Sequence, residues 1–244
     1  MKLAGGSNIC GVTVGVLCLD SKFPKPPGHI KNPSGLSFPV LYETVSGATV
    51  AKLLNNPPEN FVDPFIEAAK RLEAEGVRAI TGSCGFLARY QKQLARAVRV
   101  PVFVSSLIQI PLVWNMIGQR GKVGVLTANK SSLTKGHFTA VGASGVPVVI
   151  QGMEDYREFR EVILEGVRSD MDIGKIETEI LASAKLLAKT NSDMGALVLE
   201  CTDMPPYAYK IQQKLKVPVF DLTTLAGMVH EVVSRSKYHG LEPW

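Results

Sequence analysis

Long uninterrupted apolar runs are missing from this chain. None approaches the roughly 18 residues that a membrane-spanning helix requires, and residues 1–8 are too polar and glycine-rich for a secretory signal. No membrane partner is expected, and a cytoplasmic location is favoured. Clustered charge is missing as well. The 27 Lys and Arg outnumber the 22 Asp and Glu, but they are scattered, without the basic stripe of a nucleic-acid-binding face. No nucleic-acid partner is expected, and the net charge of +5 is at most a weak pointer to anionic ligands. Cysteine is scarce. Cys10, Cys18, Cys84 and Cys201 form no C-x-x-C pair, and none has a histidine beside it at ligand spacing, so no metal site is expected. A reducing compartment disfavours disulfides, which leaves each thiol as either a small buried hydrophobe or a reactive group.

What is present is a core-forming composition, 45% hydrophobic over 244 residues, enough for one large domain or two small ones. Short aliphatic runs at 11–20, 38–45, 77–81, 100–104, 122–126, 146–150, 195–199 and 217–221 read as strands. Between most of them lie helical patterns, at 63–75, 87–98, 110–117, 131–141, 156–167, 173–188, 204–215 and 225–234. This alternation implies βαβ units and parallel sheets, an α/β fold. Cys18 sits inside the first strand and reads as core. Asp20 ends that strand, where open α/β sheets place ligand groups, and a solvated turn explains it equally well. Residues 21–39 carry five prolines and two glycines, a long irregular loop that could cover a ligand.

Two stretches, Gly82-Ser83-Cys84-Gly85-Phe86 and Glu200-Cys201-Thr202-Asp203-Met204, set a cysteine where an apolar run stops. They are copies. A shift of 117 residues also matches Val100-Pro101-Val102-Phe103 with Val217-Pro218-Val219-Phe220, and a shift of 109 matches Val14-Gly15-Val16-Leu17 with Val123-Gly124-Val125-Leu126. The expected architecture is therefore two pseudo-symmetric lobes, each a parallel sheet flanked by helices, with the active site in the cleft between them. Residues 1–107 with 225–244 would form the first lobe, carrying Cys84, and 108–224 the second, carrying Cys201. The same repeat pairs Asp20 with Asn129.

A thiol at a strand-to-helix corner meets backbone N–H groups and the positive end of the helix dipole, which lowers its pKa towards neutrality. Two such thiols on opposite sides of a carbon can exchange the roles of acid and base. The amides of Gly85 and Thr202 could hold a carboxylate beside that carbon. Thr202 reads equally as a helix cap, Ser83 more readily as a turn hydroxyl, and Asp203 as a first-turn carboxylate; the four histidines sit away from the corners and receive no role.

These residues resemble the aspartate/glutamate/hydantoin racemase superfamily over nearly the whole chain. Cys201-Thr202 is similar to its second Cys-Thr motif, Asp20-Ser21 to the Asp-Ser of glutamate racemases, and Thr127 falls near the substrate-binding threonine. The resemblance implies a cofactor-independent racemase or epimerase acting on a small carboxylate or hydantoin, with Cys84 and Cys201 as the acid/base pair and Asp20, Ser83, Gly85, Phe86, Thr127, Asn129, Thr202 and Asp203 around the substrate. Gly85-Phe86 and Asp203 replace the Asn-Thr and His of glutamate racemases, and Phe86 implies a less polar wall. Maleate isomerase-like or arylmalonate decarboxylase-like chemistry, and non-catalytic binding of a small acid, remain as alternatives. Nothing in the sequence requires or forbids a homo-oligomer.

Overall fold

The computed structural model describes residues 5–55, 57–238 and 240. Two four-stranded parallel sheets run in the orders β2-β1-β3-β4 and β6-β5-β7-β8. The first contains β1 (Val14–Leu19), β2 (Val40–Val45), β3 (Ala79–Gly82) and β4 (Val102–Phe103); the second contains β5 (Lys122–Thr127), β6 (Val148–Gly152), β7 (Met194–Leu199) and β8 (Val219–Phe220). The equal strand orders are the three-dimensional form of the sequence repeat. The central strands β1 and β5 are buried almost throughout, as continuous aliphatic runs in parallel sheets require.

Nine α-helices accompany the sheets among the described residues: α1 (Val50–Leu54), α2 (Asp63–Ala74), α3 (Gln91–Ala97), α4 (Ile110–Met116), α5 (Lys135–Ala140), α6 (Arg157–Phe159), α7 (Ile173–Thr190), α8 (Ala208–Leu215) and α9 (Leu222–Val233). α6 runs on as a π-helical turn, Arg160–Leu164. The short α1 lies in a stretch to which the sequence pattern assigns no element. Thr49 starts it by accepting from Lys52 N through its hydroxyl. α9 begins three residues before the expected position because Asp221 caps it, its Oδ1 accepting from Thr224 N at 2.7 Å. This last helix returns to the first sheet, where Leu222, Leu225 and Ala226 pack with Val14, Val16, Ala79 and Phe103.

The 21–39 loop is a packed wall. Ile30 is fully buried and Phe23 and His29 nearly so, Tyr42 Oη donates to Ile30 O at 2.8 Å, and Thr223 Oγ1 donates to Gly28 O at 2.7 Å. Gly28 adopts φ +101°, and a Cβ there would stand 3.0 Å from Pro206 Cα. Glycine alone allows both the left-handed backbone and this contact with the second cysteine corner. Among the described residues no helix is long and apolar enough to cross a membrane.

Candidate active site

Both cysteine corners are held by the same backbone lock. Ser83 N donates to Leu17 O at 2.9 Å, and Glu200 N donates to Leu126 O at 2.8 Å, at positions related by the two repeat shifts. The side chains extend the lock differently. Leu19 N donates to Ser83 Oγ at 2.9 Å, whereas Ala128 N donates to Glu200 Oε2 at 3.4 Å. The corners also grip each other. Thr202 Oγ1 donates to Ser83 O at 2.7 Å, and beside them Ser106 Oγ, beyond the end of β4, donates to Leu199 O at 2.6 Å. Gly85 lies so close to the second corner that a Cβ would meet Glu200 Oε1 at 2.1 Å and the Glu200 backbone oxygen at 2.2 Å. From the second lobe, the His137 ring of α5 stands edge-on to Phe86, with centroids 5.4 Å apart.

Between the lobes a narrow cavity is lined by Ser83, Cys84, Phe86, Cys201, Thr202 and Asp203, six of the ten residues expected at the site, together with Ser21, Phe23, His29, Val50, Leu54, Ala128, Ile163, Glu200 and Leu19. The other four lie elsewhere. Asn129 folds onto its own turn, its Oδ1 accepting from Ser131 Oγ at 2.7 Å and Ser132 N at 3.0 Å. Asp20 tethers the β2–α1 turn through Gly47 N at 3.1 Å and lines a neighbouring, wider cleft. Thr127 is buried behind the cavity, where its hydroxyl donates to Glu200 Oε2 at 2.7 Å. Gly85 acts through its missing side chain, as the close-packing point against Glu200.

The expected acidity of the thiols is corrected by the structure. Cys84 is partly buried and Cys201 buried. Loss of water around each sulfur raises both pKa values, and the negative charges of Glu200 and Asp203 add to the rise. No long helix opposes this. Cys84 precedes a 3₁₀ turn, Gly85–Tyr90, and Cys201 a bend and a second 3₁₀ turn, Pro205–Tyr207. What stabilisation the sulfurs receive comes from single amides, Phe86 N–H at Cys84 and Asp203 N–H at Cys201.

Two residues without an assigned role in the sequence reading stand at the centre. His29 is 2% exposed, and its Nε2 lies 3.2 Å from Asp203 Oδ1. Its Nδ1 accepts from Lys31 N at 2.8 Å, which leaves the ring proton of the neutral form on Nε2, facing the carboxylate. Cys201 Sγ in turn donates to Asp203 Oδ2 at 3.4 Å. Burial alone would raise the Asp203 pKa, yet the His29 contact, the Lys25 charge and the Cys201 thiol hold it below the usual aspartate value. Glu200 is the second, fully buried beside both thiols, and burial pushes its carboxyl up to about 7. A glutamate ending a buried strand run is a sequence signal for it; His29 has none beyond its place in the proline-rich loop.

No protein-family model matches the chain. A dimethylsulfoniopropionate lyase from Durusdinium sp. clade D is 30% identical over 248 residues, covering 97% of this chain and 80% of the relative. This chain belongs to the dimethylsulfoniopropionate lyase family. Dimethylsulfoniopropionate lyase 7 of Emiliania huxleyi (strain CCMP1516) is 31% identical over 244 residues, 95% of this chain and 70% of the relative. Among solved structures, unliganded arylmalonate decarboxylase aligns with TM-score 0.58 at 14% identity, over 93% of this chain and 94% of that one. An aspartate racemase homologue from Pyrococcus horikoshii OT3 aligns with TM-score 0.58 at 18% identity, over 91% and 99%. These lyase-family corners are therefore built on the fold of the aspartate/glutamate racemase superfamily.

Proposed function

We propose that the protein is a lyase that removes the proton beside a carboxylate and expels a sulfonium group from the next carbon, converting dimethylsulfoniopropionate to dimethyl sulfide, acrylate and a proton. The observation that carries this reading is the charge of the cavity. Asp203 is held ionised on its lining, and no Lys or Arg is among the described residues that line it. A dicarboxylic amino acid entering such a site would raise the thiol pKa values further; a sulfonium cation offsets the neighbouring negative charge and favours thiolate. Phe23 and Phe86, with Val50, Leu54 and Ile163, offer an aromatic and aliphatic wall to a methylated cation.

Cys201 is the base in this scheme, because its proton already points at an ionised carboxylate. The thiolate takes the proton from the carbon next to the substrate carboxylate. The freed electron pair forms the carbon–carbon double bond as the carbon–sulfur bond breaks, and its electrons leave with dimethyl sulfide. Cys84, across the cavity and without a carboxylate partner, borders the leaving group.

Incubation with dimethylsulfoniopropionate and headspace gas chromatography test the reaction, with equimolar dimethyl sulfide and acrylate expected. If deuterium entered a chiral 2-substituted acid with retention of all its groups while no dimethyl sulfide formed, the racemase expectation would stand in its place.

A further inference from the structure

The cavity poses a recognition problem, since a carboxylate must bind where, among the described residues, no Lys or Arg lines the wall. The donors have to be neutral. Glu200 is fully buried on this wall, at the position that Ser83 occupies in the other half. Its Oε2 accepts from Thr127 Oγ1 at 2.7 Å and from Ala128 N at 3.4 Å. Both bonds bring hydrogen to that oxygen, so the carboxyl proton belongs on Oε1. Oε1 has no hydrogen-bond partner among the described residues. A buried carboxyl with one oxygen held and the other buried without a partner is costly unless a ligand completes it.

We infer that Glu200 is held as a neutral acid whose Oε1–H receives the carboxylate of a short monocarboxylic substrate and stabilises the charge that grows there as the adjacent carbon is deprotonated. A carboxyl kept neutral by its surroundings is a strong donor to an oxyanion. The groups facing it are Cys84 from the first corner, Cys201 and Asp203 on its own corner, with His29 and Lys25 behind Asp203, and Thr127 and Ala128 at the end of β5. Burial and the Asp203 charge favour the neutral form; the Thr127 and Ala128 bonds oppose it without prevailing. Gly85 leaves Oε1 the space it occupies, which a Cβ at that position would fill. The inference deepens the proposed function, and it depends on that reading only for the fate of the bound carboxylate.

Propionate, which has no leaving group, is the probe. Glu200→Gln keeps the accepting oxygen and replaces the O–H by an N–H donor, while Glu200→Leu removes both. Calorimetric titration from pH 5 to 9 should show wild-type affinity for propionate falling about tenfold per pH unit once Glu200 ionises. The Gln variant should bind within about threefold of the low-pH wild type at every pH, and the Leu variant at least about tenfold more weakly. Isotope-edited infrared spectra should show a protonated carboxyl band at pH 6 that the Gln variant lacks. Binding by the Gln variant as weak as by the Leu variant, a flat wild-type profile, or an ionised Glu200 at pH 6 would each overturn the inference. A protein that releases no dimethyl sulfide yet binds propionate in this pH-dependent way loses the lyase reading and keeps this one.

Discussion

The first corner, Ser83-Cys84-Gly85-Phe86, and the second, Glu200-Cys201-Thr202-Asp203, align residue for residue, and their backbones are locked to the neighbouring strand by the same hydrogen bond. Only cysteine is common to both. Serine faces glutamate, glycine faces threonine, and a phenyl ring held edge-on by His137 faces a carboxylate held by His29. Thr202 reaches into the first corner to bond Ser83 O, which the equivalent glycine cannot reciprocate. A racemase that works in both directions needs two comparable acid/base groups. The asymmetry here supports a division of labour instead, with proton transfer at the polar corner and an apolar seat for a departing methylated group at the other.

The sharpest way to break that comparison is to remove each thiol in turn. Cys201→Ala should cost about a thousandfold or more in kcat for dimethyl sulfide release, the scale of a lost base, and Cys84→Ala about ten- to a hundredfold. Equal losses would restore symmetry and favour a two-base mechanism. Gly85→Ala tests the packing that the two corners do not share. The new Cβ meets a backbone oxygen that cannot rotate away, so a stability loss of about 3 kcal/mol or more is expected in urea titration, while Thr202→Ala at the equivalent position should lose only about 1 kcal/mol with its hydrogen bond to Ser83 O. Glu200→Gln sharpens the contrast between Glu200 and Ser83 through pH. The glutamate pKa is raised on folding to about 7, so the folded state holds a proton that the unfolded chain releases near pH 4.5, and stability falls as pH rises between those values. The Gln variant should lack that fall, which amounts to on the order of 3 kcal/mol. Thermal melts of both proteins at pH 5 and pH 8 measure it; parallel behaviour would place a neighbouring group, not Glu200, in control.

The scaffold was legible because its signals are local or repeated. Aliphatic runs at 11–20 and 122–126 read as strands whatever they pack against, and the matched Val-Gly-Val-Leu and Val-Pro-Val-Phe motifs disclosed two halves, which the structure builds with the same strand order. Cys18 reads as core from its strand, and burial does raise its pKa to about 11. The site was legible only as far as the repeat extends. The repeat pairs Asn129 with Asp20, yet Asn129 bonds its own turn and Asp20 the Gly47 amide of the β2–α1 turn, because Asx groups at strand ends satisfy nearby amides before they reach a ligand. Thiol acidity was misjudged because a corner's dipole is visible in sequence, whereas desolvation depends on which loops close over it. His29 is the clearest loss. It reaches Cys201's partner across 174 residues of chain, through a proline-rich loop whose path no periodicity describes.

His29 also gives the smallest and most specific test of the asymmetry. Its Nε2–H supports Asp203 as an anion, so Asp203 takes the Cys201 proton only above its own depressed pKa, and activity falls as pH drops through it. His29→Ala removes that support, raises the carboxyl towards its ordinary range and moves the acidic limb of the kcat/KM profile to higher pH. At the optimum the loss should be about tenfold, because Lys25 and the Asp203 backbone remain. His29→Gln, which can place an amide N–H near the same oxygen, should recover part of both the rate and the limb position. A packing role alone predicts otherwise: lower stability in both variants with the acidic limb unmoved. The histidine at the other corner, His137, packs edge-on against Phe86, a ring with no proton to exchange, so His137→Ala provides the control. His137 is kept neutral by burial, with its pKa lowered to about 4, so its removal should leave the acidic limb in place and relax only the wall that holds the ring.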